Sequence, residues 1–205
     1  MSQQPTAPKG RVVLVLGGAR SGKSTFAEKL AVSTGEKLLY IATAKRIDAE
    51  MVYRIDKHID DRKDIDWTTK EVPVHLSTVD AGDSKVILVD CVTVWLANWM
   101  GHLGYPKGEE VDEEAVQYAD KLDKTAREEM SRFLEKMVAE GRTVVLVANE
   151  VGLGIVPMYK TSRYYRDTLG RINQDIGRIA ERVYWMVAGF GVDIKKLSEE
   201  ATLKI

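Results

Sequence analysis

Two short stretches hold residue types that can handle phosphate. "GGARSGKS", residues 17–24, fits the pattern G-x-x-x-x-G-K-S. Gly17 and Gly22 let the backbone curl so that successive N–H groups point inward at phosphate oxygens. Lys23 can then reach the β- and γ-phosphates of a nucleoside triphosphate, and the Ser24 hydroxyl can ligate Mg²⁺. "RIDKHIDDR", residues 54–62, places Arg54, His58 and Arg62 four apart, on one face of a helix. Two guanidinium groups beside one imidazole can neutralise phosphate oxygens and favour the neutral ring, whose lone pair can attack phosphorus. The same spacing also suits a solvated helix surface, since Asp56, Lys57, Asp60 and Asp61 surround His58, and residue spacing leaves both readings open.

The elements that must position these residues follow from periodicity. Continuous apolar, β-branched runs at 11–16, 37–42, 85–90, 143–148 and 183–188 predict strands buried on both faces, as in a parallel sheet. "WTTKEV" (67–72) alternates and predicts a further strand. Helical patterns fall at 23–33, at 48–63 with Asp48 as N-cap, at 112–140 with Gly141 as the stop, and at 162–182. The stretch 101–110 reads as a mobile loop. This alternation predicts a three-layer α/β domain with helices on both faces of the sheet. Residues 1–10 read as a short flexible tail and 11–205 as a single domain.

Within that frame "GGARSGKS" follows a strand and opens a helix, the context the phosphate loop demands. Asp90 ends the strand 85–90, where it can bind Mg²⁺ or cap the next helix. Glu150 follows the strand 143–148, at the sheet end where ligands bind in open α/β folds. Base, metal ligand and loop-ordering residue are all open to it, and Gly152 and Gly154 suggest a turn near ligand. There is no N-K-x-D guanine motif. A D-x-x-G match at Asp167–Gly170 lies inside a helical pattern and reads as chance.

Composition narrows the partners. A net charge of −1 supplies no basic field for nucleic acid. No apolar stretch is long enough to span a bilayer, and "MSQQPTAPKG" lacks the apolar core of a signal peptide. The single cysteine, Cys91, fits a reducing cytoplasm, where the protein is expected.

Taken in order, "LVLGGARSGKST", "YIATA" with the following "D.EM..RI..H…R", "WTTKEVP", "NEVGLGIVP" and "RDTLGRINQ" resemble the bifunctional adenosylcobinamide kinase / adenosylcobinamide-phosphate guanylyltransferase family of cobalamin biosynthesis, over residues 11 to about 195. The resemblance implies a RecA-like P-loop fold, a homotrimer or other homo-oligomer, and a corrinoid substrate, adenosylcobinamide and its phosphate. GTP or ATP would be co-substrate with Mg²⁺. It implies guanylylation of His58 and nucleotide contacts at Gly17, Gly18, Ala19, Arg20, Ser21, Gly22, Lys23 and Ser24. Further contacts would come from Ala42, Thr43 and Ala44, from Ile59, Asp60, Asp61 and Arg62, and from Glu71 and Asp90. Two positions depart from the family pattern: Lys57 stands where many members carry a first histidine, and Asp90 where members carry Glu. The residues taken alone also admit a P-loop kinase for another small molecule, or a nucleotide-dependent regulatory binding protein.

Overall fold

The computed structural model describes residues 10–60, 63, 65–106 and 112–202, apart from the side chains of Glu50, Arg54, His58 and Thr202. Its elements run β1 (Arg11–Gly17), α1 (Lys23–Val32), β2 (Leu38–Ala42), α2 (Ala49–Asp60), β3 (Trp67–Glu71), β4 (Val86–Asp90), α3 (Val92–Leu103), α4 (Glu113–Ala139), β5 (Thr143–Asn149), α5 (Lys160–Ile179), β6 (Arg182–Val187), β7 (Phe190–Asp193) and α6 (Ile194–Thr202). One sheet has the order β3-β2-β4-β5-β1-β6-β7. All its pairings are parallel except β6 with β7.

Strand alternation divides the core into two layers. Leu14, Leu39, Ile87 and Leu146 point to the face that α3, α4 and α5 cover. Val15, Tyr40, Leu88 and Val145 point to the opposite face, against Ala27 and Ala31 of α1. The expected three-layer, mostly parallel α/β architecture is therefore present. The α4 helix starts where Asp112 Oδ1 accepts from Ala115 N at 2.8 Å, with Glu113 and Glu114 on the positive end of the helix dipole.

Several expectations need correction. Residues 101–103 belong to α3 rather than to a loop spanning 101–110, of which 107–110 lie outside the described residues. The helix expected at 162–182 begins at Lys160 and ends at Ile179, and Arg182 already opens β6. Three elements, α3, β7 and α6, were not anticipated. In α3 the run "VTVWLANWMGHL" is apolar nearly all round, so it carries little amphipathic signal; it is buried, with Trp95 Nε1 donating to Val74 O at 2.6 Å and Trp99 Nε1 to Thr125 Oγ1 at 3.1 Å. The β6–β7 hairpin turns on Ala188 (φ 50°) and Gly189 (φ 87°), positive φ at both central positions of a two-residue turn. Alanine in the first of them hides that turn inside an apolar stretch.

The segment between β3 and β4 is held to α4 by one buried acid. Glu129, 3% exposed, accepts from Ser77 N at 2.8 Å and Ser77 Oγ at 3.0 Å, and pairs with Arg132. Glu129→Ala leaves the Ser77 N–H unpaired. The expected cost is about 2 kcal/mol, read as a fall of roughly 4–8 °C in melting temperature for a chain of this size.

Candidate active site

Strand register gathers the candidate residues at one end of the sheet. Glu71, Ala42 and Asp90 are direct neighbours across β3, β2 and β4. Gly17 pairs with Asn149 on one side and Met186 on the other. The row from β3 to β1 covers four strand spacings of about 4.8 Å, roughly 19 Å in all. A nucleotide held by its phosphates at β1 can therefore extend along the strand ends toward β2 and β3.

The phosphate loop is built from backbone geometry. Gly22 caps α1 in the left-handed region (φ 92°), where a Cβ would also meet Gly189 Cα at 3.2 Å. At Gly17 a Cβ would collide with Met186 O and Ser21 Oγ, each at 2.7 Å. Two bonds fix the loop to the sheet: Glu150 N–H donates to Gly17 O at 3.2 Å, and Gly189 N–H to Ser21 O at 3.0 Å. The loop then runs directly into α1, whose N-terminus adds positive potential. Gly18, Ala19 and Arg20 are exposed, Ser24 is half-buried, and Arg20 adopts φ 57°. Ser21 Oγ is buried with no partner among the described residues.

Lys23 is 8% exposed and donates from Nζ to Gly18 O at 2.5 Å. Burial pulls its pKa below the ordinary lysine value, and electrostatic interaction with Cys91 and Asp90 opposes that shift in part. Asp90 accepts from the Tyr40 hydroxyl at 3.0 Å. Thr43, fully buried, joins β2 to the β4–α3 junction: its N–H donates to Asp90 O, its Oγ1 donates to Cys91 O at 2.9 Å, and Oγ1 accepts from Cys91 N at 2.8 Å. Asn98 Nδ2 holds Thr43 O at 2.7 Å. Nothing in the sequence singled out Tyr40 or Asn98. Burial and the neighbouring Asp90 charge push the Cys91 thiol up to about 11, which keeps it protonated and poorly nucleophilic at neutral pH.

The Ser24 hydroxyl and the Asp90 carboxylate are hard oxygen donors, a set that suits Mg²⁺ completed by phosphate oxygens and water. No group of three or more His, Cys, Asp or Glu side chains that could hold a metal occurs among the described residues.

The second candidate region starts as the sequence implied. Asp48 caps α2 by accepting from Met51 N at 2.7 Å, and Arg46 pairs with Asp56 at 2.7 Å. His58 lies on α2, one helical turn from Arg54; both side chains, with all of Asp61 and Arg62, lie outside the described residues. Ile59 and Asp60 are exposed, as is Glu71, while Ala42 and Ala44 are half-buried beside Thr43. Glu150 is half-buried, and its carboxylate accepts from the Gly152 N–H, which orders the turn after β5.

Comparison with known proteins decides the family. The model of the cobinamide kinase / cobinamide phosphate guanyltransferase family matches residues 13–194. The chain belongs to this family. It is 38% identical over 187 residues to the bifunctional adenosylcobalamin biosynthesis protein CobU of Salmonella typhimurium, covering 90% of this chain and 99% of that one. It is 39% identical over 185 residues to the bifunctional adenosylcobalamin biosynthesis protein CobP of Pseudomonas aeruginosa, covering 89% and 96%. Among solved structures, the KaiC-like protein PH0186 from Pyrococcus horikoshii OT3 superposes with a TM-score of 0.45 at 18% identity, over 87% of this chain and 71% of that one. No helix among the described residues is long and apolar enough to cross a membrane.

The burial of Lys23 gives a pH-dependent signature. Its pKa is lowered in the free protein, and bound phosphates would raise it again by favouring the ammonium. Between those two values nucleotide binding takes up a proton, so affinity falls as pH rises through the lowered Lys23 pKa. Calorimetry of GTP binding in alkaline buffers of differing ionisation enthalpy should show proton uptake, and Lys23→Met should abolish it.

Proposed function

We propose that the chain carries out two successive reactions on one corrinoid side chain. In the first, the aminopropanol hydroxyl of adenosylcobinamide attacks the γ-phosphorus of GTP or ATP. The oxygen–phosphorus bond forms as the nucleoside diphosphate leaves. In the second, an imidazole nitrogen of His58 attacks the α-phosphorus of GTP, pyrophosphate leaves, and a guanylyl-histidine results. A phosphate oxygen of adenosylcobinamide phosphate then attacks the same phosphorus. The imidazole departs, and adenosylcobinamide-GDP is formed. The observation that carries this reading is the family match across residues 13–194, together with a fully formed phosphate loop.

The residues divide the work by their chemistry. Loop N–H groups from Gly18 to Ser24 and the α1 N-terminus receive the phosphates, and Lys23 exchanges its bond to Gly18 O for phosphate oxygens. Ser24 and Asp90 would hold Mg²⁺, which neutralises phosphate charge when bound. Ala42 and Thr43 set the end of β2 against the Asp90 backbone, and the Tyr40 hydroxyl holds the Asp90 carboxylate; Ala44 would complete the nucleotide contacts there. Glu71 at the far end of the row, and Ile59, Asp60, Asp61 and Arg62, which follow His58 in the sequence, would meet the nucleoside portion. Arg54 and Arg62 would neutralise the phosphate that His58 attacks. The protein would act in the cytoplasm as a homotrimer or other homo-oligomer, without nucleic acid or membrane as partner.

One shared nucleotide site and one covalent histidine give a separable pair of outcomes. Lys23→Ala removes the cation from both reactions, and each should fall by about a hundredfold or more. His58→Ala should lose guanylyl transfer entirely while retaining phosphorylation of adenosylcobinamide. Chromatography of the corrinoid products after incubation with GTP reads both at once. Loss of only one activity in Lys23→Ala would show two separate nucleotide sites, and transfer surviving in His58→Ala would remove the histidine from the chemistry.

A further inference from the structure

Two glycines stand in the interior of α5 without a conformational or packing reason. Gly170 and Gly177 are two helical turns apart and share a face. Neither has positive φ, and a Cβ placed on either would meet nothing within 4 Å. Glycine inside a helix costs about 0.5–1 kcal/mol relative to alanine, and no packing contact among the described residues offsets that.

Both glycines line a groove of about 520 Å³ between α5 and α6, floored by Leu14 and Leu16 of β1. Asn173, on the same face of α5, borders it and is only 7% exposed. Its Nδ2 donates to Asn149 O at 3.3 Å, while its Oδ1 is buried with no partner among the described residues. An acceptor left in that state costs about 1–3 kcal/mol. Glu150 also lines the groove, and its backbone N–H is the one that holds Gly17 of the phosphate loop. The groove thus reaches the triphosphate site through a single residue. Its lysine, Lys195, turns Nζ onto the carbonyls of Gly177, Arg178 and Ala180 at the end of α5, so it offers little to an anion. The other polar groups on its lining are the unpaired Asn173 amide acceptor, the Glu150 carboxylate, the Gln174 amide and the Ser198 hydroxyl, above an apolar floor. These suit a neutral ligand with N–H and O–H donors on a short aliphatic chain.

We infer that this groove receives the amide-linked amino-alcohol arm of the corrinoid in the phosphorylation step, with Asn173 Oδ1 accepting from the arm's amide N–H and Glu150 accepting from its hydroxyl. The inference rests on the reading that adenosylcobinamide is the acceptor. The corrin ring stays outside, over the open side of the groove. Gly170 to Gly177 spans about 10 Å along the helix axis, room for an extended arm that a side chain at either position would obstruct. As the hydroxyl oxygen bonds to the γ-phosphorus, its proton passes to the Glu150 carboxylate and the nucleoside diphosphate carries away the electron pair of the breaking bond.

Gly170→Leu and Gly177→Leu place side chains into the groove from positions where the protein has space for them. Each should weaken adenosylcobinamide binding, measured by calorimetry, by about tenfold or more. Melting temperature should not fall, and labelling by α-labelled GTP without acceptor should report an intact nucleotide site. Glu150→Gln retains an acceptor for the Gly152 N–H; it should lower kcat for phosphorylation by about 100-fold with little change in KM for adenosylcobinamide. Wild-type affinity for adenosylcobinamide in both leucine variants overturns the groove assignment alone. So does a change in their oligomeric state by light scattering with corrinoid affinity restored at high protein concentration, because the groove is then a subunit contact. Unchanged kcat in Glu150→Gln overturns its part as base. A wild-type protein that neither binds nor phosphorylates adenosylcobinamide overturns the functional reading itself, and the arm with it.

Discussion

Two backbone hydrogen bonds, from Glu150 N–H to Gly17 O and from Gly189 N–H to Ser21 O, tie the phosphate loop to the sheet. The loop has to present a concave array of N–H donors with no side chain in the way, a shape with little apolar contact of its own to hold it. The bonds supply that hold from two sides, one from the end of β5 and one from the β6–β7 turn. The turn's Gly189 also lies against Gly22, where a Cβ on Gly22 would approach its Cα to 3.2 Å. The small antiparallel hairpin at the sheet edge, peripheral in the topology, is thereby part of the loop's support. Lys23 rests on Gly18 O within this frame, already close to the position from which it would meet phosphate.

The same sheet end brings the rest of the chemistry into reach by register alone. Asp90 and Glu71 flank Ala42 in one row, and Thr43 locks that row to α3 through four hydrogen bonds shared with Asp90, Cys91 and Asn98. By contrast α2, which carries His58, is built from local interactions: the Asp48 cap, the Arg46–Asp56 pair and its own helical bonds. It shares no extended packing with another element among the described residues, and Ile47, Tyr53 and Ile59 remain exposed. The phosphate loop and the Asp90 row are thus built into the packed core, whereas α2 is joined to it mainly through its own local interactions.

Much of this was legible in the sequence because the signals were local. A β-branched run, a glycine-framed loop and a helix in immediate succession define the phosphate loop, and the apolar strand ending at Asp90 needs only its own residues. Asp48 and Gly141 marked α2 and α4 through capping chemistry. What escaped depends on tertiary context. The α3 helix is apolar on nearly every face because it is buried, so periodicity has nothing to contrast. Tyr40 reads as one more apolar strand residue until β2 is placed beside β4. Gly170 reads as the end of a chance D-x-x-G match, and Gly177 carries no signal of its own, until the space above them is known.

In the proposed chemistry one phosphate loop serves both reactions, phosphoryl transfer from GTP or ATP and then guanylyl transfer from GTP with His58 as the covalent carrier. Its most direct test is peptide mapping by mass spectrometry after incubation with GTP and Mg²⁺ in the absence of corrinoid. The account predicts a single GMP adduct on the peptide containing His58, stable to alkali, cleaved by acid, and discharged when adenosylcobinamide phosphate is added. An adduct on a different residue, or one that adenosylcobinamide phosphate does not discharge, would contradict it.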